Sequence, residues 1–387
     1  MSFVRPLFPL WFGFALLLLL ALSACREGPP ADNLQEFAYV TNGRSNTVTV
    51  LDLRRLRSAR TINVGRGPTG VAANPKKNEV YAVNTDSDNV SFIDAERNVV
   101  VATVGVHRQP FFIDVSADGR RAYVANSGSA NVSVLDLDAR RVLANVRVGA
   151  KPGLARVSPD GKTVVVSNAG DNTVSLLNPS ALAVRSTLDV CKNPQDIAIL
   201  PDSSKAFVAC ADSGQVAAID LKSDKVLALL DVGQTPVHLA LKPDGGEIFV
   251  SNFASGTISI IETTTNEVAG SFLAGTAPVR SIASADNATL YIANFGSDAV
   301  AVYGIDDGRL LGTIPVGSGP DALALAPNQN FLLVANSKSG DVAFVRTAKL
   351  PRGSKISAER SLFTMAPVGL DPRQIAVKTF VSNAAAR

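Results

Sequence analysis

From residue 37 onward the chain alternates apolar and polar positions in short runs broken by turn residues, without the spacing of an amphipathic helix. Taken from Tyr123, the order is YVAN, SGSA, NVSVLDL, DARR, VLANVRVG, AKPG, LARVSP and DGK. The β-branched runs suit half-buried strands, and the Ser, Gly, Asn, Asp and Pro clusters suit the turns between them. Each such unit therefore predicts an antiparallel meander of four strands. Asp160-Gly161 and Asp244-Gly245 mark one tight hairpin, and Ser45-Asn46 and Asp171-Asn172 open the next.

The unit repeats. Similar stretches begin at Tyr39, Tyr81, Tyr123, Val165, Phe207, Phe249, Tyr291 and Leu333, each 42 residues after the last. A four-stranded unit cannot bury both faces alone, so copies must stack, and closing the stack into a ring removes its exposed ends. YVTN, YVAN and FVSN, the VxVID-like strand, the VG before a GxP-like turn and the SPDG-like hairpin recur at fixed offsets. In these motifs the chain resembles the YVTN-type β-propeller repeats of bacterial and archaeal surface and periplasmic proteins, over Phe37 to about Phe380. The first YVTN strand lacks a preceding inner strand, and Met365–Lys378, MAPVGLDPRQIAVK, supplies one at the other end of the chain. The expectation is an all-β, closed propeller of eight four-stranded blades latched by the C-terminal strand. Seven blades, the usual number in the family, is the alternative.

The N-terminus is a different kind of sequence. Arg5 precedes the apolar run Trp11 to Leu22, and Leu22-Ser23-Ala24-Cys25 follows, which reads as a signal peptide over residues 1–24. The cleavage region resembles a bacterial lipobox. That resemblance implies a lipidated Cys25 as mature N-terminus, a polar tether over 25–36 and an exported protein held to a membrane by its acyl chains. Arg26 after the cysteine, by the same resemblance, implies the outer membrane, facing the periplasm or cell surface. An ordinary signal peptide with a chance cysteine is the alternative, and the run is short for a membrane span. Residues 381–387 form a tail.

Charged residues make up 18% of the chain and the net charge is +3, which argues against nucleic acid as a partner. P-loop, HExxH, GxSxG and paired Cys/His zinc patterns are missing, so no catalytic residue, metal or cofactor is expected, and a monomer is. Cys191 and Cys210 replace residues that other units hold nearly constant. Cys191 stands where Gly65, Gly149, Gly233, Gly275 and Gly317 stand, and Cys210 where Asn42, Asn84, Asn126, Asn168, Asn252, Asn294 and Asn336 stand. Both positions fall on one face of the ring at a blade junction, which predicts a disulfide in an oxidising compartment.

Scaffold positions repeat and functional ones depart from the repeat. Two residues after each recurrent proline, at the mouth of the innermost strand, stand Gly70, Phe112, Leu154, Asp196, His238, Arg280, Ala322 and Gln374. Phe112, Asp196, His238 and Arg280 are the candidate ligand-binding residues, with His107, Phe111, Phe253, Phe295 and Asp321 on nearby loops. The competing reading is a self-satisfied polar cluster capping a wet channel. Asp114 and Arg156, two residues further in on adjacent blades, read as an ion pair. A basic insertion between Phe344 and Leu362, with Arg346, Lys349, Arg352, Lys355 and Arg360, reads as a solvated hairpin or a contact for anionic lipid, peptidoglycan or a partner.

The favoured function is a non-catalytic platform of the cell envelope that binds a protein, an envelope component or a small polar ligand. A lactonase-like hydrolase, or a small-ligand or cofactor-binding propeller using the channel mouth, is the alternative that similar propellers imply.

Overall fold

The computed structural model describes residues 33–347 and 361–382. The signal segment 1–24, Cys25 and the tether to residue 32 lie outside the described residues, as do positions 348–360 of the basic insertion and the tail from 383. The chain divides into Glu36–Phe380 and a second unit, Met1–Gln35 with Val381–Arg387. In the second unit the Ser382 N–H donates to the Asn33 carbonyl at 2.9 Å.

Glu36–Phe380 carries eight four-stranded antiparallel sheets. Blade 1 combines Leu34–Asn42, Thr47–Asp52 and Arg57–Asn63 with the C-terminal strand Pro372–Val381 at its inner edge. Its first strand starts at Leu34, inside the segment grouped with the tether on sequence. Blades 2 to 8 are consecutive meanders whose inner strands start at Pro68, Pro110, Pro152, Pro194, Pro236, Pro278 and Pro320. The ring thus has eight blades, and the last strand completes the first.

Packing explains the closure. Each apolar cluster joins two neighbouring blades: Tyr39, Val48 and Val50 of blade 1 meet Val71, Val80 and Ala82 of blade 2. The circuit ends where Leu333, Val342 and Phe344 of blade 8 meet Ala38, Val40 and Leu51 of blade 1. Fully burying one such side chain contributes about 1.5–3 kcal/mol, and no blade achieves that alone. Local chemistry shapes the turns. Asp52, Asp94, Asp136, Asn178 and Asp220 each accept the backbone N–H groups two and three residues on, fixing the bend before the outer strand.

One joint recurs between blades. In seven blades the second strand ends in an asparagine; its Nδ2 donates within its own blade, as Asn168 does to Thr173 Oγ1 at 3.0 Å and Ser175 Oγ at 2.9 Å, except at Asn294, which donates to the Ala274 carbonyl of the arriving linker at 2.8 Å. Against its side chain lies a glycine from the linker that arrives from the previous blade. A Cβ on Gly65, Gly149, Gly233, Gly275, Gly317 or Gly369 would come within 2.6–2.8 Å of that asparagine. At blade 5 the pair is replaced by the predicted disulfide, Cys191–Cys210, with Cα atoms 5.6 Å apart. It ties the linker from blade 4 to blade 5.

Two stability outcomes follow from this joint. Gly233→Ala should lower unfolding free energy by about 1–3 kcal/mol through overpacking against Asn252. Replacing both Cys191 and Cys210 by Ala should cost about 3 kcal/mol by releasing a loop of sequence separation 19. Denaturant titration checks both, and wild-type midpoints in either variant would refute the role given to the joint.

Candidate functional site

The inner strands form the channel wall, and their pairing shifts register just after the proline, as between Pro194 and Ile197 or Pro236 and His238. The residue preceding each of these prolines is left-handed in all eight blades, including Thr235 at φ 55 and Ala277 at φ 53. A β-branched or small non-glycine residue there is strained, which marks this rim as held by its surroundings. Bulge and bend together turn the two residues after the proline toward the channel mouth.

Five polar side chains of the inner strands engage the inner strand of the next blade, Asp114 from two residues further in and the others from the second position after the proline. Val157 N–H donates to Asp114 Oδ2 at 3.0 Å, and Leu239 N–H donates to Asp196 Oδ2 at 2.9 Å. Ser281 N–H donates to His238 Nδ1 at 3.3 Å, and Val71 N–H donates to Gln374 Oε1 at 3.1 Å. Arg280 reverses the sense, its Nε–H donating to the Asp321 carbonyl at 3.3 Å. The inner strand is the edge of its sheet, so some of its backbone groups face the channel without a ladder partner, and these side chains satisfy them.

A cavity of about 240 Å³ opens at the mouth, lined by Phe111, Phe112, Leu154 and Val237 on its apolar side. Thr69, Gln195, Asp196, Arg280, Asp321, Arg373 and Gln374 supply its polar side. Three of the four residues expected from sequence, Phe112, Asp196 and Arg280, line it together. His238 does not. It lies beside Asp196 but lines a second cavity of about 250 Å³ with Ser281, Ala322 and Ile375, which also reaches Arg280 and Gln374. Of the loop residues, Phe111 and Asp321 line the mouth cavity, whereas His107, Phe253 and Phe295 do not. Thr69, Gln195 and Arg373 were missed on sequence. They stand one residue after their prolines, a position as variable as the next, and comparing units there would have found them.

Arg156 makes its ion pair with Asp196, Nη2 to Oδ1 at 3.8 Å, and stacks its guanidinium 4.7 Å from the Phe112 ring centre. This corrects the expected direct pair with Asp114, on which Arg156 acts only at longer range. Burial pushes the Asp114 carboxyl up, against Arg156 and the N–H groups of Val157 and Val115.

Asp196 is 5% exposed. Burial alone would raise its carboxyl, but His238, Arg156, Arg280 and the Leu239 N–H outweigh it and hold the group below its ordinary value. The His238 side chain is 14% exposed, with Nε2 3.8 Å from Asp196 Oδ2. Its pKa falls to about 4 because burial and the two arginines disfavour the charged ring more than Asp196 favours it. At neutral pH the imidazole is uncharged, accepts at Nδ1 and carries its proton on Nε2. Among the described residues no group of three or more His, Cys, Asp or Glu side chains is placed to hold a metal ion.

Comparison with known proteins agrees with the fold. The family described as "Lactonase, 7-bladed beta-propeller" matches residues 280–350, within the seventh and eighth of the eight blades and the segment that follows. No curated protein matches the chain. Among solved structures, the chain is similar to Kuenenia stuttgartiensis hydrazine synthase at 22% identity and TM-score 0.59, over 80% of this chain and 92% of that one. It is similar to the dihydro-heme d1 dehydrogenase NirN in complex with DHE at 17% identity and TM-score 0.73, over 88% and 74%. A functionally unknown protein from Desulfotomaculum acetoxidans DSM 771 aligns at 14% identity and TM-score 0.59, over 89% and 98%. At these identities the likeness is one of β-propeller fold.

The neutral histidine gives a pH signature. Unfolding restores an ordinary value near 6.5, so the unfolded chain takes the proton first, and stability falls as pH drops from about 6.5 to 4. The loss attributable to His238 is about 3 kcal/mol. Asp196, held low in the fold, acts in the same direction at still lower pH. Urea midpoints across pH 7.5 to 4 should show this slope, and His238→Gln should flatten it. An equal slope in the variant would place the effect elsewhere.

Proposed function

We propose that this protein is a non-catalytic binding propeller of the cell envelope that takes a small polar ligand at the channel mouth. The observation that carries the reading is the state of the acid–base atoms. His238 Nδ1 and Asp196 Oδ2 are both engaged by backbone N–H groups of the next blade, whereas Arg280 has neither terminal nitrogen hydrogen-bonded among the described residues. Groups so arranged hold a ligand better than they remove a proton from one. Phe111, 50% exposed at the cavity rim, adds an apolar contact. Export and a lipid anchor on Cys25 rest on the N-terminal sequence. A lactonase-like hydrolase is the second reading, favoured by the family match over residues 280–350. It needs a free general base at the mouth: Asp196 and His238 are engaged by backbone N–H groups, which leaves Asp321, in the cavity wall, as the carboxylate such a reaction would have to use.

The test is a thermal-shift screen of the full chain against lactones, sugar phosphates, carboxylates, amino acids, haem, quinones and peptidoglycan fragments, each hit followed by a turnover assay. A ligand at a hundred times its dissociation constant stabilises the fold by about 2.7 kcal/mol. Binding without turnover, lost in Arg280→Gln, is the expected result. Lactone hydrolysis would establish the second reading, and silence across the panel would remove the small-ligand site.

A further inference from the structure

The lining of the mouth cavity carries two signs of charge in one small space. Arg280 and Arg373 come from blades 7 and 1, Asp196 and Asp321 from blades 5 and 8. Arg280 is pinned at Nε by the Asp321 carbonyl, which leaves its two terminal nitrogens as free donors among the described residues. Gln374 is pinned at Oε1 by Val71 N–H, leaving its amide N–H₂ as a further donor. Arg373 adds a guanidinium whose Nη2 lies 2.9 Å from Asp371 Oδ2. With Arg280 and Gln374 fixed by backbone contacts and Arg373 by a carboxylate, these donors form a preorganised cradle for a carboxylate.

The Asp321 carboxylate is the complement. It makes no hydrogen bond and no ion pair within 4.0 Å among the described residues; burial pushes its carboxyl up, and Arg280 and Arg373 act against that at longer range. A site for a simple anion would not place two carboxylates in its wall, and a site for a simple cation would not place two guanidiniums there. Phe111, Phe112, Leu154 and Val237 close the remaining side. A cavity of about 240 Å³ admits one small metabolite rather than a polymer chain.

Resting on the binding reading above, we infer that the mouth cavity takes a small zwitterion of the α-amino acid class with an apolar side chain. Its carboxylate lies on Arg280, Arg373 and Gln374, its ammonium on Asp321, and its side chain against Phe111, Phe112 and Leu154.

Titration calorimetry on the full chain tests this with three matched probes: leucine, 4-methylpentanoate without the amine, and 3-methylbutylamine without the carboxylate. Leucine should bind at least tenfold more tightly than either, since each loses one charged contact. Asp321→Asn should weaken leucine about tenfold or more, whereas 4-methylpentanoate should bind no more weakly than to the wild type, since the lost carboxylate only repelled it. Arg373→Gln, at an exposed position, should weaken leucine and 4-methylpentanoate alike while leaving the melting temperature intact. Equal binding of leucine and 4-methylpentanoate, or an Asp321→Asn variant with wild-type affinity for leucine, would overturn the zwitterion assignment. If leucine, isoleucine and phenylalanine all fail while another class from the screen binds, the assignment falls and the binding reading stands. If nothing in either panel binds, both fall.

Discussion

The structure depends on one constraint: a four-stranded sheet has two apolar faces and can cover neither by itself. Each of the eight core clusters is therefore shared between neighbours, and removing any blade would open two of them. The last shared cluster exists because the chain returns, after more than three hundred residues, to place Pro372–Val381 beside Leu34–Asn42. Gly43 N–H donates to the Asp371 carbonyl at 2.9 Å and Arg44 N–H to the Leu370 carbonyl at 3.2 Å, so the seam is hydrogen-bonded as well as packed. Closing so long a loop costs only slowly growing entropy, and the two faces it buries offset that cost.

The mouth face is closely packed. Asparagine and glycine from adjacent blades meet there without room for a Cβ, the residues before the eight prolines are left-handed, and one joint is covalent. Rigidity of this kind lets a propeller vary the two residues after each proline without losing its shape. It also explains why chemistry gathers there: the inner edge strands leave backbone groups unpaired, and polar side chains that satisfy them arrive already oriented.

Electrostatics within the channel follow from burial more than from any single ion pair. Asp196 sits among Arg156, His238 and Arg280 and stays ionised, and burial, aided by the same two arginines, keeps His238 neutral. Charge is balanced by placing opposite signs on different blades, a distribution suited to holding a ligand with charges of its own.

The sequence by itself showed the repeat and the four-stranded unit and pointed to the C-terminal latch, the Cys191–Cys210 bridge and eight blades over seven, all of which the structure bears out. These follow from periodicity and from residues that break it at matching offsets, and a 42-residue period carries local strand and turn preferences directly. It also pointed to Phe112, Asp196 and Arg280, because a departure from the internal consensus is visible without coordinates. Tertiary structure alone decided which of these share a cavity. His238 turns to the second cavity because Ser281 N–H captures its Nδ1, Arg156 leans to Asp196 rather than Asp114, and Thr69, Gln195 and Arg373 join the mouth. Those outcomes depend on side-chain direction at a bulge and on hydrogen bonds across blades, neither of which has a period in sequence.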